Sequence, residues 1–298
     1  MIDKRILILF LFCCTSILAQ LKGKVVDEKN QPIPYVNIWA KGQDIGTTSD
    51  EQGNFSLAVS PNTELILTSI GFETYEGKLL DSANIVLKEK IHQMQEVAIS
   101  SKRKATVILN DYKKEKLNAG FVCGVKPWIV ARFFPYNQTM ENYPFIKKIF
   151  FKAETEIPET QMLLHLYKVN PDGSPGTELL TENHFLNIRK GNKNNTIDLD
   201  KMNIQIPLEG IFIGFEWLII ENNKMEYTYT LPTDFIQKKY KGVKYAPSIK
   251  AYLVNSSNTR IFSKGRWSNN HKIPIDFVGD KKFVGKEMEL AISLELTN

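Results

Sequence analysis

The stretch Gly42–Leu57, which reads GQDIGTTSDEQGNFSL, decides how the N-terminal part of the chain is interpreted. It holds three carboxylates and three glycines, a composition that fits either a calcium loop or a corner between strands. An EF-hand loop that begins at Asp50 needs Gly at its sixth position and Glu at its twelfth. Gly53 is instead the fourth residue and Pro61 the twelfth. The spacing therefore favours a structural corner.

The sequence on both sides of this corner alternates between apolar and polar residues. Short alternating runs separated by turn residues are typical of an all-β sandwich, and here they read LKGKVVD, YVNIWA, NFSLAVS, TELILTSIGF and ANIVLKE. Within the corner we expect Gly46 and Gly53 to adopt backbone angles closed to other residues, and Asp50 to cap its own turn. Phe55 and Leu57 are predicted to enter the core, because alternate residues of a strand share one face.

Residues before and within the corner resemble a known family. They are Gly23, Val25, Asp27, Pro32, Ile33, Val36 and Ile38, followed by Gly46, Thr47, Ser49, Asp50, Gly53, Phe55 and Leu57. This pattern resembles the carboxypeptidase-regulatory-like domains of Bacteroidetes proteins, which are transthyretin-like β-sandwiches. The resemblance implies a seven-stranded sandwich over residues 20–100. Many TonB-dependent receptors open in a similar way, but they continue for several hundred residues more than follow here, so we do not expect a transporter.

Residues 1–19 have the pattern of a secretory signal peptide. Lys4 and Arg5 precede an apolar run, and Ala19 provides a small residue for cleavage before Gln20. No later run reaches the roughly 18 apolar residues that a transmembrane helix needs. The sequence therefore predicts a protein secreted across the inner membrane, which is periplasmic or associated with the outer membrane. Only Cys123 would remain after cleavage, and we expect it to be a buried small hydrophobe without a disulfide.

Residues 101–119 form a basic segment that predicts a linker. Lys102, Arg103 and Lys104 open it, and a charge run between domains is usually solvated. Alternatively, these cations provide a peripheral contact with anionic lipid headgroups or with the acidic face of a partner. The formal net charge of +5 over 298 residues is too small to indicate nucleic-acid binding.

Residues 120–298 predict a second β-sandwich. Alternating and short apolar runs are parted by NPDGSPG, KGNKN and LEG. The run from Ile204 to Trp217 resembles the extracytoplasmic jelly-roll-like segment that often follows a regulatory-like domain in Bacteroidetes proteins. The expected fold is therefore all-β, with a transthyretin-like sandwich followed by a jelly-roll-like sandwich.

No catalytic motif stands out. A zinc peptidase needs Glu three residues after a ligand His, but His92, His165, His184 and His271 are followed at that distance by Gln95, Lys168, Asn187 and Pro274. The patterns HExxH, GxSxG and the P-loop do not occur in the sequence. We therefore predict a protein that is not an enzyme and has no metal or cofactor site. A nucleophilic Cys123–His pair would require partners that meet only in the folded chain.

Two places are candidates for ligand binding. Glu216 interrupts the apolar run IFIGFEWLII and either faces solvent on an outer sheet surface or lies beside Trp217 in a ligand cleft. Trp267, with Arg266 and Asn269, is the best candidate for an aromatic sugar platform, although sandwich cores also consume aromatic residues.

These observations lead to three hypotheses on function. The first is a non-catalytic exported cell-envelope protein that acts as a binding or assembly module, with an envelope protein or a glycan as its partner. The alternative is a carbohydrate-binding accessory protein of a glycan uptake or degradation system. The third, an unrecognised hydrolase, would need Cys, His and a carboxylate clustered in a pocket.

Overall fold

The N-terminal part of the chain is a sandwich of seven strands. The computed structural model describes residues 20–78, 84–90, 105–111, 117–230, 238–276 and 281–298. The strands are β1 (Leu21–Val26), β2 (Asn37–Ala40), β3 (Gly46–Thr48), β4 (Asn54–Leu57), β5 (Glu64–Thr68), β6 (Tyr75–Lys78) and β7 (Asn84–Val86). One sheet has the order β4-β1-β7 and the other β3-β2-β5-β6. The predicted seven-stranded sandwich is confirmed.

The predicted signal peptide and the cations Lys102, Arg103 and Lys104 lie outside the described residues. Within the described part of the chain, no helix combines the length and the apolar character needed to cross a bilayer.

The corner between β3 and β4 is built around Asp50. Its Oδ1 accepts the backbone N–H groups of Gln52 at 2.9 Å and Asn54 at 2.8 Å, which confirms the predicted cap. Gly53 has φ +76° and lies so close to β1 that a Cβ would be 2.4 Å from the carbonyl oxygen of Val25. The expectation for Gly46 was wrong: it is not in the left-handed region, and its missing side chain makes room for the Trp39 ring, 2.8 Å from where a Cβ would stand.

Both faces of the β3-β2-β5-β6 sheet are buried at its centre. On β2, Ile38 and Ala40 join the N-terminal core together with Phe55 and Leu57. Asn37 and Trp39 point to the opposite face, because side chains alternate along a strand, yet they are also buried. A second surface must therefore cover this sheet.

The second domain is a single hydrogen-bonded network of 13 strands. The strands are β8 (Thr106–Leu109), β9 (Ala119–Cys123), β10 (Ile129–Phe134), β11 (Phe145–Val169), β12 (Pro175–Glu178), β13 (His184–Asp198), β14 (Ile211–Trp217), β15 (Lys224–Thr230), β16 (Lys239–Val254), β17 (Thr259–Ser263), β18 (Arg266–Asn269), β19 (Glu287–Leu290) and β20 (Ile292–Thr297). Among the described residues, the helical elements are α1 (Gln138–Asn142) and the 3-10 turns Asp200–Met202, Glu221–Asn223 and Lys281–Phe283. The expected all-β class is confirmed.

Strand β8 occupies part of the segment for which we expected a solvated linker. It pairs with β20, so that Leu109 lies opposite Leu294, and Val107 and Leu109 pack against the main core of the second domain. Val107 and Leu109 gain more from packing on the core than the neighbouring charges gain from hydration, while Ile108 between them stays exposed. The described part of this segment therefore belongs to the second domain.

The central strands of the second domain present two buried faces. All seven residues of β14 are buried. Phe215 and Trp217 enter the main core, whereas Phe212 and Glu216 point to the other side of the sheet. This outer face, shared by β10, β11, β14 and β17, carries the candidate site.

The corner gives a test of the N-terminal fold. We expect Gly53→Ala to lower the free energy of unfolding by about 3 kcal/mol, because alanine would be in a left-handed conformation and its Cβ would meet a carbonyl oxygen. Gly42→Ala is the matched control, since Gly42 has φ +73° but nothing within 4 Å of its Cβ position. It should cost about 1 kcal/mol. Both variants would be measured by chemical denaturation. An equal decrease in the free energy of unfolding for the two would contradict the close contact of Gly53 with β1.

Candidate functional site

The outer faces of the two domains pack against each other. Trp39 and Ile66 of the first domain form an apolar cluster with Ile129 and Phe262 of the second. Tyr35 forms another cluster with Leu163 and Leu218 of the second domain. The surface covering the β3-β2-β5-β6 sheet is thus the β10-β11-β14-β17 face.

A chain of polar side chains runs through this interface. Asn37 Nδ2 donates to Glu216 Oε1 at 2.7 Å. Glu216 Oε2 lies 2.8 Å from His165 Nε2, and His165 Nδ1 lies 2.8 Å from Glu178 Oε2. We call Asn37, Glu216, His165 and Glu178 the junction network. It takes one residue from the first domain and three from the second.

The strand register explains how these groups meet. His165 on β11 lies opposite Gly214 on β14, where no side chain competes for the space next to the imidazole. Glu216 lies opposite Leu163, two positions along the ladder from the His165–Gly214 pair. Its side chain is therefore on the same face as the imidazole and reaches it diagonally. Glu178 belongs to β12, and its Oε1 accepts the backbone N–H of Leu166 at 2.8 Å.

The network holds His165 in its charged form. Burial by itself would lower the pKa of the imidazole, but hydrogen bonds to Glu178 and Glu216 and the charges of both carboxylates raise it to about 9. An imidazolium donates from both ring nitrogens, which matches the two carboxylate contacts. The neighbouring Tyr167 ring stacks on the imidazole at 5.3 Å. Burial, followed by the two carboxylates, raises the pKa of Tyr167 well above its ordinary value.

This arrangement keeps His165 protonated and holds the imidazole in a fixed position between the two carboxylates. Both nitrogens of His165 and both oxygens of Glu216 already have partners within the protein. The two carboxylates lie on opposite sides of the imidazole and do not converge on one point. Among the described residues, no group of three His, Cys, Asp or Glu side chains is placed to hold a metal ion.

A cavity of about 200 Å³ opens beside the network, between the two domains. We call it the junction cavity. Its lining is Thr68, Ser69, Ile70, Phe72, Thr74 and Lys90 from the first domain, with Ile129, His165, Tyr167, Gly176, Thr177, Glu178, Glu216, Phe262 and Trp267 from the second. The exposed residues Thr74, Lys90 and Thr177 mark its mouth. Aromatic rings and three members of the junction network, His165, Glu178 and Glu216, form its inner wall.

The stretch Gly42–Leu57 also contacts the second domain, through Asp44 before β3 and Thr48 at its end. Asp44 pairs with Lys126 and lies 3.8 Å from the ammonium group of Lys264. The Thr48 hydroxyl accepts the backbone N–H of Ile219 at 3.1 Å. The stretch that defines the N-terminal fold therefore also helps to orient the two domains.

The structure brings together two of the four predicted ligand-binding residues. Glu216 and Trp267 both line the junction cavity. Trp267 is half-buried between Phe262, at 5.3 Å between ring centroids, and Tyr167, at 5.4 Å. Arg266 and Asn269 are exposed and do not line the cavity.

The interpretation of Glu216 as a solvent-facing residue was wrong. Its residue exposure is only 3%, because the first domain covers the sheet surface to which it points. It also does not lie beside Trp217, whose side chain enters the core on the opposite face. Glu216 lies in the cleft that the other interpretation expected, but the neighbours that place it there are His165 and Asn37.

His165, Glu178 and Asn37 were not among the predicted site residues. A usable signal was present for His165, since it interrupts the apolar run MLLHLY much as Glu216 interrupts IFIGFEW. Runs that are apolar at every position are typical of strands covered on both faces. A titratable residue inside such a run needs a buried partner.

Cys123 lies outside this site. It is a free, fully buried thiol, as predicted, and its Sγ donates to the carbonyl oxygen of Lys126 at 3.1 Å. Burial raises the pKa of the thiol to about 12, so the reactive thiolate is not formed near neutral pH.

The N-terminal domain is related to known proteins. Residues 21–99 match the CarboxypepD_reg-like domain, which confirms the resemblance noted in the sequence. The chain is 29% identical over 79 residues to the TonB-dependent receptor SusC of Bacteroides thetaiotaomicron, covering 26% of this chain and 8% of the receptor. It is 31% identical over 87 residues to the TonB-dependent receptor P39 of Formosa agariphila, covering 27% of this chain and 8% of that receptor. The shared part is thus a small fraction of either relative.

Solved structures resemble the chain only distantly. The cysteine protease Cwp84 of Clostridium difficile aligns with 89% of this chain and 65% of its own, with 8% sequence identity and a TM-score of 0.39. At this similarity the alignment says nothing about activity.

The pKa of His165 predicts how stability depends on pH. The folded value of about 9 lies above the ordinary value of 6.5. The protonated His165 therefore contributes its full stabilisation below pH 6.5, and this stabilisation is lost as the pH rises through about 9. We expect the free energy of unfolding to fall by about 3 kcal/mol between about pH 6 and pH 10. The measurement is guanidinium denaturation of the full chain across this range.

His165→Gln is the control, because it removes the titrating group and should flatten the dependence. An unchanged pH slope in this variant would rule out His165 as its source. Imidazole NMR signals give a second readout: the pKa of His165 should be near 9, while burial places that of His184 below its ordinary value.

Proposed function

We propose that this chain, whose N-terminal sandwich is a CarboxypepD_reg-like domain, is a non-catalytic cell-envelope protein that binds a sugar unit in the junction cavity. The single observation that carries the proposal is the lining of that cavity. Trp267, Phe262 and Tyr167 provide aromatic surface, and hydroxyl, carboxylate and ammonium groups lie among them. Small-molecule sites in proteins combine apolar walls with a few placed polar groups in this way.

The chemistry of a sugar suits both parts of the lining. The C–H faces of a pyranose ring pack on aromatic rings, and its hydroxyl groups exchange hydrogen bonds with Thr68, Thr177 and Lys90 around the cavity. A volume of about 200 Å³ accommodates one small ring rather than an extended chain. The proposed ligand is therefore one sugar unit, free or at the end of a glycan.

The state of the junction network supports a role in binding rather than catalysis. A general acid or base works best when its pKa is close to the working pH and when it can reach the substrate. His165 has a pKa of about 9, and both of its ring nitrogens are hydrogen-bonded to carboxylates. We assign it the role of holding the wall of the cavity in place.

Two observations support an envelope location. The pattern of residues 1–19 predicts export. The relatives that share the N-terminal domain are TonB-dependent receptors by name. For the present chain, export and envelope association are parts of the proposal.

Trp267→Ala tests the proposal, because it removes one aromatic wall of the cavity. We expect the full chain to bind at least one ligand of a mono- and oligosaccharide panel in calorimetry, and the variant to bind it about tenfold more weakly. Arg266→Ala is the matched control, since Arg266 is the preceding residue on β18 and does not line the cavity. It should bind like the unchanged chain.

Trp267→Phe separates binding from folding. It keeps much of the packing against Phe262 and Tyr167 and should lie between the other two variants in affinity. The proposal fails if no sugar of the panel binds, or if Trp267→Ala and Arg266→Ala bind equally well.

A further inference from the structure

We propose that the β15–β16 hairpin binds an acidic polysaccharide on a row of three surface tyrosines, of which two are exposed and one is half-buried. This surface belongs to the second domain and does not depend on the junction cavity. Tyr227, Tyr229 and Tyr240 form the row, which we call the tyrosine ladder. Neighbouring ring centroids are 5.7 Å and 5.6 Å apart.

The register of the hairpin places all three rings on one face. Tyr227 and Tyr229 are two residues apart on β15, and Tyr240 lies opposite Tyr229 on β16. Gly242 lies opposite Tyr227, and a Cβ at Gly242 would be 2.6 Å from that ring. The Tyr227 ring therefore lies over Gly242 of the neighbouring strand, in the space that a side chain would otherwise occupy.

The ladder is exposed at the edge of the sheet. Strand β15 is the end member of the central strand order and pairs with β16. Tyr227 is 43% exposed and Tyr229 is 41% exposed. Tyrosines that served only to fill the core would be covered by neighbouring side chains. Aromatic faces that remain open to solvent are typical of binding surfaces.

Lysines flank the ladder at both ends. Lys244 Nζ lies 5.7 Å from the centroid of the Tyr227 ring, and Lys238 Nζ lies 5.6 Å from that of Tyr240. The hairpin also carries Lys239 and Lys241 on its other face, while Glu226 is the one carboxylate in its described strands. This excess of positive charge calls for an anionic partner.

An acidic polysaccharide matches both features of the surface. Its sugar rings stack on flat tyrosines, and its carboxylate or sulfate groups pair with the lysines. A lipid surface fits less well, since the described part of the hairpin exposes no large aliphatic, phenylalanine or tryptophan side chain that would enter the acyl layer. The geometry therefore favours a carbohydrate chain with regular negative charges.

The probe is polygalacturonate, and its methyl-esterified form is the neutral control. We expect the full chain to bind the charged polymer, to bind it more weakly as salt is raised, and to bind the ester weakly. Tyr229→Ala, at the centre of the ladder, should reduce affinity about tenfold. Tyr229→Phe should keep most of it, which distinguishes the ring from the hydroxyl group.

Two double variants control for charge. Lys238→Ala with Lys244→Ala removes the flanking cations, whereas Lys239→Ala with Lys241→Ala removes the same charge from the other face of the hairpin. Only the first pair should weaken binding strongly. Equal effects of the two pairs would mean non-specific attraction and would overturn the proposal.

The remaining outcomes separate other partners. Absence of binding to polygalacturonate overturns the proposal, as does ladder-dependent binding that is found only with anionic phospholipid vesicles or with a single-stranded oligonucleotide. Polygalacturonate binding that Tyr229→Ala leaves intact and Trp267→Ala abolishes would place the polymer in the junction cavity and would also overturn the proposal. The two proposed sites can therefore succeed or fail independently.

Discussion

A buried imidazolium between two carboxylates is the interaction on which the rest of the structure depends. Moving ions out of water costs several kcal/mol for each ion unless partners replace the solvent. Here the partners come from both domains, because Asn37 completes the set around Glu216. Separating the domains would take that partner away and would expose Trp39 and Ile66. The network therefore makes a specific docked arrangement more favourable than other ways of covering the same apolar surface.

The junction cavity is a consequence of this docking. Its lining comes from both domains, so neither sandwich contains it alone. The corner at Gly42–Leu57 takes part through Asp44 and Thr48, which contact the second domain beside the apolar clusters. Exposed ion pairs such as Asp44–Lys126 contribute little stability. They act together with the buried contacts to fix orientation, and orientation determines the shape of the cavity.

Local patterns predicted the fold well, because the information they need is local. Asp50, Gly53 and Phe55 set a corner and a strand face within a few residues, and the structure agrees with the sequence there. The reason for glycine at position 46 was predicted less well, because it is the space taken by the Trp39 ring on the neighbouring strand and not a backbone angle. In β8, the apolar run of three residues carried more information than the charges around it.

The site could be predicted only in part, because its partners are distant in sequence. Period-two alternation places Glu216 and Trp217 on opposite faces of β14, but it does not say what covers either face. The partner of Glu216 across the junction is 179 residues away. Trp267 was identified because the polar sequence around it indicated a partly exposed ring, whereas His165 was dismissed once the zinc motif failed. These residues meet only because the two domains dock, and a motif within one strand cannot predict that docking.

A double-mutant cycle between Asn37 and Glu216 tests the central claim most directly. The free energy of unfolding would be measured for the full chain, for Asn37→Ala, for Glu216→Gln and for the double variant. If the buried contact joins the domains, the two substitutions are coupled by about 1–3 kcal/mol. A coupling energy of zero would mean that the contact does not link the domains in solution, and it would contradict the account of the junction.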